Sequence, residues 1–407
     1  MKSRFAFNRL LLTLFLALAP AMASTAWYVN GVSGSDTNNC LSASTPCNTI
    51  GNAISLASSG DSIIVAGGTY TENLTIAFDL KVSGSAGKTI IDGGRHGTVV
   101  TVSTPTAHVN LANVTITNGF AASGGGIANH GILTVSHSIV QGNIASHPAR
   151  CVLGCHGRGG GIYNDGRLIV NNSTVTGNAA SVSNGCLGGC GADGGGITNS
   201  LGTVTLNNST VSNNMAFYWR RGGSGGGIQN SGTVNLNNST VANNSAMGGV
   251  ASGGGIDNSS TSLTAAILQI NNSTISGNFA SYQGGGIENY SASATIQNSI
   301  VANSSGGNCS GAITSKGYNV SSDGTCRLSG PGDMHNTDPL LGPLQNNGGP
   351  TQTMALLPGS PAIDAGNPSG CKDSNGNLLK TDQRGMLRPD KEDTGGCDMG
   401  AYESRRD

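Results

Sequence analysis

Apolar and polar positions alternate with a period of two through the middle of the chain, in short runs that recur. Three sets of apolar residues hold fixed places in a repeating unit. The first is Ile127, Ile162, Ile197, Ile228, Ile256 and Ile287. The second pairs Leu133/Val135, Leu168/Val170, Val204/Leu206, Val234/Leu236, Leu268/Ile270 and Ala294/Ile296. The third is Val140, Val175, Val211, Val241, Ile275 and Val301. No 3.6-residue period runs through these segments, so the repeat is not helical. Three short strands per turn, each with one face inward, predict a parallel β-helix. Each coil then buries its apolar residues against the coils above and below. At a strand spacing of ~4.8 Å, about nine coils span roughly 40–45 Å.

Each unit opens on Gly-Gly-Gly-Ile-x-Asn, six times in all: 124–129, 159–164, 194–199, 225–230, 253–258 and 284–289. From the first Gly to the closing Asn the unit is 20 residues in four copies, 21 in one and 26 in another, while the connectors between units are 15, 15, 10, 8 and 5 residues. A constant core with a variable connector is the mark of a solenoid whose insertions sit on one edge. The tri-glycines lack the Lys-Ser/Thr of a phosphate loop and read as turns. Asn172, Asn208, Asn238, Asn272 and Asn298, with His137 before them, share one place in successive units. A stacked amide row at a coil corner is expected there. The alternative is N-glycosylation at the sequon Asn172-Ser173-Thr174.

Both ends depart from the repeat. Segment 49–58 suits a short amphipathic helix over the open N-terminal end, and 62–65, 74–76, 80–83 and 89–92 suit early coils. This divides the chain into a signal peptide (1–23), a cap with early coils (24–110), the repeats (111–304) and a closing region (305–407). The signal peptide rests on Lys2, Arg4 and Arg9, a short apolar run over 10–19, and Ala21-Met22-Ala23 before the cleavage point. That run is too short to span a bilayer, and no other segment is apolar enough to do so. A secreted or cell-surface protein is expected.

Composition narrows the choice. Among 407 residues, 65 are Gly, 10% are charged and 4% aromatic, which excludes a coiled coil or charged helical bundle. The glycines have no three-residue period, which excludes collagen. The net charge is −1, and losing the three basic residues of the leader makes it more negative, so nothing attracts nucleic acid. The 10 cysteines fall into local pairs, Cys40/Cys47, Cys151/Cys155, Cys186/Cys190, Cys309/Cys326 and Cys371/Cys397. In an exported chain these favour disulfides. Cys151 and Cys186 are 35 residues apart, as are Cys155 and Cys190, so the two Cys-x-x-x-Cys segments fall on neighbouring coils. Disulfides within or across them are favoured over a zinc site involving His156.

The Gly-Gly-Gly-Ile units with Asn-Ser-Thr-Val blocks resemble bacterial right-handed parallel β-helix proteins, and are similar to polymorphic outer-membrane protein repeats. The C-terminal motifs are Thr337-Asp338-Pro339, 357–366 (LPGSPAIDAG), Asp382-Gln383-Arg384-Gly385 and 397–403 (CDMGAYE). They resemble the choice-of-anchor Q domain of secreted bacterial β-helix proteins. The resemblance implies a pectate-lyase-like solenoid, export and a surface site; it carries no catalytic residues over.

Candidate chemistry is sparse. The residue inside each tri-glycine motif forms a row expected to be exposed: Ala128, Tyr163, Thr198, Gln229, Asp257 and Glu288. Asp257 and Glu288 fall on adjacent coils and are the weak catalytic candidates for glycosidic cleavage, which needs a carboxylate pair. Two solvated surface acids are the plainer expectation. Thr174/Thr176, Thr210/Ser212, Thr240/Ala242 and Thr274/Ser276 should face outward as a hydroxyl strip, from β propensity or, less simply, to match ordered water as in ice-binding β-helices. Asp373-Ser374-Asn375-Gly376-Asn377 is read as an Asn-Gly turn rather than a calcium loop. Phe217, Tyr218, Trp219, Arg220 and Arg221 make the most adhesive connector. No cofactor is called for. The expectation is a recognition or structural scaffold whose partner is a glycan or surface protein; an extracellular polysaccharide lyase or hydrolase is the alternative.

Overall fold

A computed structural model describes residues 24–147, 153–182, 186, 188–262, 264–390 and 396–405. The segment 1–23, read from the sequence as a signal peptide, and Cys151 lie outside them. No helix among the described residues is long and apolar enough to cross a membrane.

The chain winds into a parallel β-helix. Its three main faces are sheets of 11, 11 and 9 strands, so the stack is taller than the nine coils the repeat alone suggests. The extra coils come from the non-repeating ends. They include Ala26–Val29 at the start, which pairs with Asp61–Val65, and Met334–His335 near the finish. Pairing is in register: Leu133 lies on Leu168, Leu168 on Val204, and Val204 on Val234. The three apolar sets therefore stack in columns, and Ile127, Ile162, Ile197, Ile228, Ile256 and Ile287 are fully buried. A helix, Ile50–Leu56, sits where the amphipathic pattern places it. Thr49 caps its N-terminus and the Glu72 carboxylate accepts the Ile50 and Gly51 N–H groups.

Asparagine has two structural uses here. Asn172, Asn208, Asn238, Asn272 and Asn298 hold φ between 48° and 52°, as does His137 at 49°, which makes them left-handed corners. Asn tolerates that region better than branched residues. The amides link only in places, as from Asn238 to Asn208 at 3.2 Å and Asn298 to Asn272 at 3.0 Å. The continuous rows lie deeper. Asn143, Asn178, Asn214, Asn244 and Asn278 are buried, and each of the first four donates from Nδ2 to the next Oδ1 at 2.9–3.0 Å. A second row runs from Asn129 to Asn289 through 164, 199, 230 and 258, at 2.6–2.8 Å. These amides satisfy the backbone groups of turns that close inside the stack. Asn214→Ala would strand the Asn178 amides and the Val175 carbonyl that it now serves. The expected cost is about 2–3 kcal/mol in urea unfolding.

The C-terminal region departs from expectation. It does more than close an end: it runs back along the flank of the coils as a strap. Thr210 Oγ1 donates to the Gln352 carbonyl, Thr240 Oγ1 to Gln383 Oε1, and Gln383 Nε2 to Thr210 Oγ1, at 2.6–2.8 Å. The corner amides of Asn238, Asn272 and Asn298 donate to the carbonyls of Thr381, Lys372 and Asp398. The hydroxyl strip is thus covered: Thr210, Ser212, Thr240, Ala242, Thr274 and Ser276 are buried, and only Thr174 and Thr176 keep partial exposure. An ordered-water surface on that strip is excluded.

Two buried ion pairs clamp the strap. Arg384 meets Asp382 at 2.6 Å and lies 3.5 Å over the Tyr402 ring. Arg388 pairs with Glu403 and also donates to Asn238 Oδ1 and the Gly400 carbonyl. The motif residues of this region are therefore its fastening. The 373–377 segment is an Asn-Gly turn, with Asp373 Oδ1 accepting from the Asn375 and Asn377 amides. Disulfides join Cys40–Cys47, Cys186–Cys190, Cys309–Cys326 and Cys371–Cys397, and Cys155 is also disulfide-bonded.

Candidate active site

The connectors are not bare loops. Their first halves form a six-stranded parallel sheet from Phe120–Ala121 to Phe279–Ala280. Their second halves form a three-stranded one: His156–Arg158, Gly191–Asp193 and Gly223–Ser224. These strands cross directly over the tri-glycines. A Cβ on Gly160 would lie 2.4 Å from the Ala179 carbonyl oxygen, and one on Gly254 would lie 2.3 Å from that of Phe279. This contact, with φ of 62–64° at the first glycine of each triplet, is why the motif needs glycine.

The overlay corrects the expectation of an exposed row. Ala128, Thr198, Asp257 and Glu288 are buried, and Tyr163 and Gln229 are half-buried. Two columns now run side by side. One is the motif row, with Gln229 beside Asp257 and Asp257 beside Glu288. The other closes the connectors, passing through Asp193, Ser224, Ser252 and Gln283.

A cleft of about 370 Å³ opens over both columns, with Tyr282 and Tyr290 on its rim. It contains Asp193, Asp257 and Glu288. Asp257 and Glu288 are only 4% and 3% exposed, yet both line it. Ser252 Oγ donates to Asp257 Oδ2 at 3.0 Å, and Ser259 Oγ donates to Oδ1. Burial pushes the Asp257 carboxyl up to about 6 despite those two bonds, and the nearby Glu288 and Asp193 add to the rise. Gln283 Nε2 donates to Glu288 Oε1 at 3.1 Å. Glu288 Oε2 is buried with no hydrogen-bond partner. Asp193 is tied from outside the cleft by His156 at 3.2 Å and Arg158 at 3.7 Å.

Asp193 and the two serines were missed in the sequence. Asp193 and Ser252 sit in variable connectors, where no period marks their alignment, and Ser259 follows the motif at a place where the units do not share one residue. A larger hollow of about 810 Å³ lies beside the Cys309–Cys326 disulfide, lined by one cation, Arg327, and no carboxylate. It offers no acid–base pair.

The adhesive connector is only partly a surface. Tyr218 is 2% exposed and packs with Cys155, Cys186 and Cys190 in a small core beneath the connectors, so it is not a contact residue. Phe217 is half-buried. Trp219, Arg220 and Arg221 are exposed, with the Arg220 guanidinium 5.1 Å over the Trp219 ring. The sulfurs of Cys155, Cys186 and Cys190 all lie within 4.8 Å of one another. The described parts of the two Cys-x-x-x-Cys segments stack on adjacent coils, with Leu153 bridging to Gly188 and the Gly191 N–H donating to the Cys155 carbonyl.

The chain is therefore a parallel β-helix with an acid-lined cleft on its connector edge. Solved structures with a similar fold include the pectate lyase Pel9A, at 19% identity over 94% of this chain and 97% of that one, with a TM-score of 0.44. They also include the pectin methylesterase PemA from Erwinia chrysanthemi, at 14% identity over 76% of this chain and 82% of that one, with a TM-score of 0.32. No family profile and no curated protein matches the chain.

Proposed function

We propose that this protein is exported and cleaves a polysaccharide hydrolytically in the cleft over Asp257 and Glu288. The observation that carries this reading is a buried carboxyl held near 6 beside a second carboxylate in one cleft. A carboxylic acid that keeps its proton in mildly acid solution can deliver it to a glycosidic oxygen. Asp257 takes that role. Glu288, one coil further on, faces the forming oxocarbenium ion as nucleophile.

In-register neighbours lie one strand spacing apart, ~4.8 Å, which suits the ~5–5.5 Å of a retaining pair better than the ~6.5–9.5 Å of an inverting one. Incubation with a panel of glycans should release reducing ends whose anomeric configuration, followed by proton NMR, is retained. Inverted products would move the nucleophile's role away from Glu288. Failure to cut any glycan would remove the hydrolytic reading.

A recognition role is supported separately by the exposed Trp219–Arg220 stack. Trp219→Ala should weaken glycan binding while leaving the cleavage rate at saturating substrate unchanged.

A further inference from the structure

We infer that the substrate of this cleft is a glycan free of carboxylate and sulfate groups, neutral or amino-bearing; this rests on reading the cleft as a glycan site. Three carboxylates line it, and no Lys or Arg stands among its described lining residues. Arg158 pairs with Asp193 from outside that lining, and His156 Nδ1 lies 3.2 Å from the same carboxylate. With Asp193 paired and Asp257 keeping its proton in mild acid, the unbalanced negative field is that of Glu288, in a partly desolvated wall where Coulomb effects are several times stronger than in water. A uronate chain would bring one negative charge per sugar into that field, and like-charge juxtaposition is a strong means of rejecting a ligand.

The hydrogen-bonding inventory points the same way. The side-chain amides of Gln229 and Gln283 are already donating, to Ser231 and Glu288. The hydroxyls of Ser252 and Ser259 donate to Asp257. Among the described lining residues, the buried side-chain atom without a partner is an acceptor, Glu288 Oε2. An anionic ligand offers acceptors, whereas sugar hydroxyls and ammonium groups offer donors. Tyr282 and Tyr290, 60% and 65% exposed, give the rim two aromatic surfaces that suit the apolar faces of uncharged sugar rings.

The test sets xylan, β-1,3-glucan and chitosan against polygalacturonate and alginate. It is run with the full mature chain at pH 5 and low salt, reading binding by calorimetry and cleavage by reducing ends. A neutral or amino-bearing glycan should bind at least about tenfold more tightly than either polyuronate and should be cut, as expected for one uncompensated like charge at contact distance. Polygalacturonate or alginate bound as tightly, or cut in a manner lost in Asp257→Asn, would overturn this inference and leave the cleft's hydrolytic reading standing. Tight binding of a neutral glycan without cleavage would do the reverse. No binding and no cleavage would overturn both.

Discussion

Asp257→Asn should abolish glycan cleavage and, at neutral pH, make the protein more stable. Loss of a general acid lowers kcat about 10²–10⁴-fold. Asparagine keeps the shape and can still bond Ser252 and Ser259, but it has no proton to give. The stability effect has the opposite sign because the native fold holds the Asp257 carboxyl at about 6 against an ordinary 3.8. Below about pH 4 the group is protonated folded or unfolded and nothing is lost. Between about 4 and 6 the folded protein binds more protons than the unfolded chain, so stability falls as pH rises. Above 6 the full penalty remains, about 3 kcal/mol for a shift of this size. Urea melts of wild type and variant should therefore converge near pH 4 and separate by pH 7, with the variant the more stable. In the wild type, cleavage should decline as pH rises through about 6, when the acid loses its proton. A variant that is inactive but no more stable at pH 7 would show that the Asp257 charge is not strained in the fold.

Arg388→Ala should cost about 3–5 kcal/mol, the usual result of leaving one buried charge without its partner. Arg388 and Glu403 are 0% and 1% exposed, so water cannot replace the lost guanidinium. Asn238 Oδ1 and the Gly400 carbonyl lose donors in the same step. Arg388→Lys should recover little, because an ammonium cannot serve three acceptors spread over the planar fork. The readouts are the urea midpoint and limited proteolysis of 350–404, which should be cut while the coils upstream stay resistant. Glu403→Ala should cost a similar amount, and the double variant clearly less than the sum. An unchanged midpoint in Arg388→Ala would mean that the strap is held by its contacts with Thr210, Thr240 and Asn272 instead.

The coils were legible because each unit repeats the same physical problem. The columns of Ile127 and its successors, the Val140 column and the cap after Thr49 all fall where alternation and capping chemistry put them. Outward faces were harder. Thr240 and Asp257 occupy outward positions of their strands, and for a single-layer solenoid outward means solvent. Both are covered by chain that carries no period. Asp257 lies under connectors of changing length; Thr240 meets Gln383, 143 residues later. The buried asparagine row was visible as a recurring letter in each block, but its depth depends on turns that close inward at Asn178 and Asn214.

A coil in a solenoid normally touches only its neighbours, so repeats can be gained or lost without disturbing the rest. The strap removes that freedom over part of the stack. It folds back on itself and docks at Asn208 through Thr351, at Asn272 through Lys372, at Asn238 through Thr381 and at Asn298 through Asp398, so its docking points span four coils. An added coil within that span would displace every later docking point by one strand spacing, ~4.8 Å. An added coil among residues 124–178 would displace none. The chain thus carries a ruler for its C-terminal half and an unmeasured half above it, and duplications in related chains should collect in the unmeasured part.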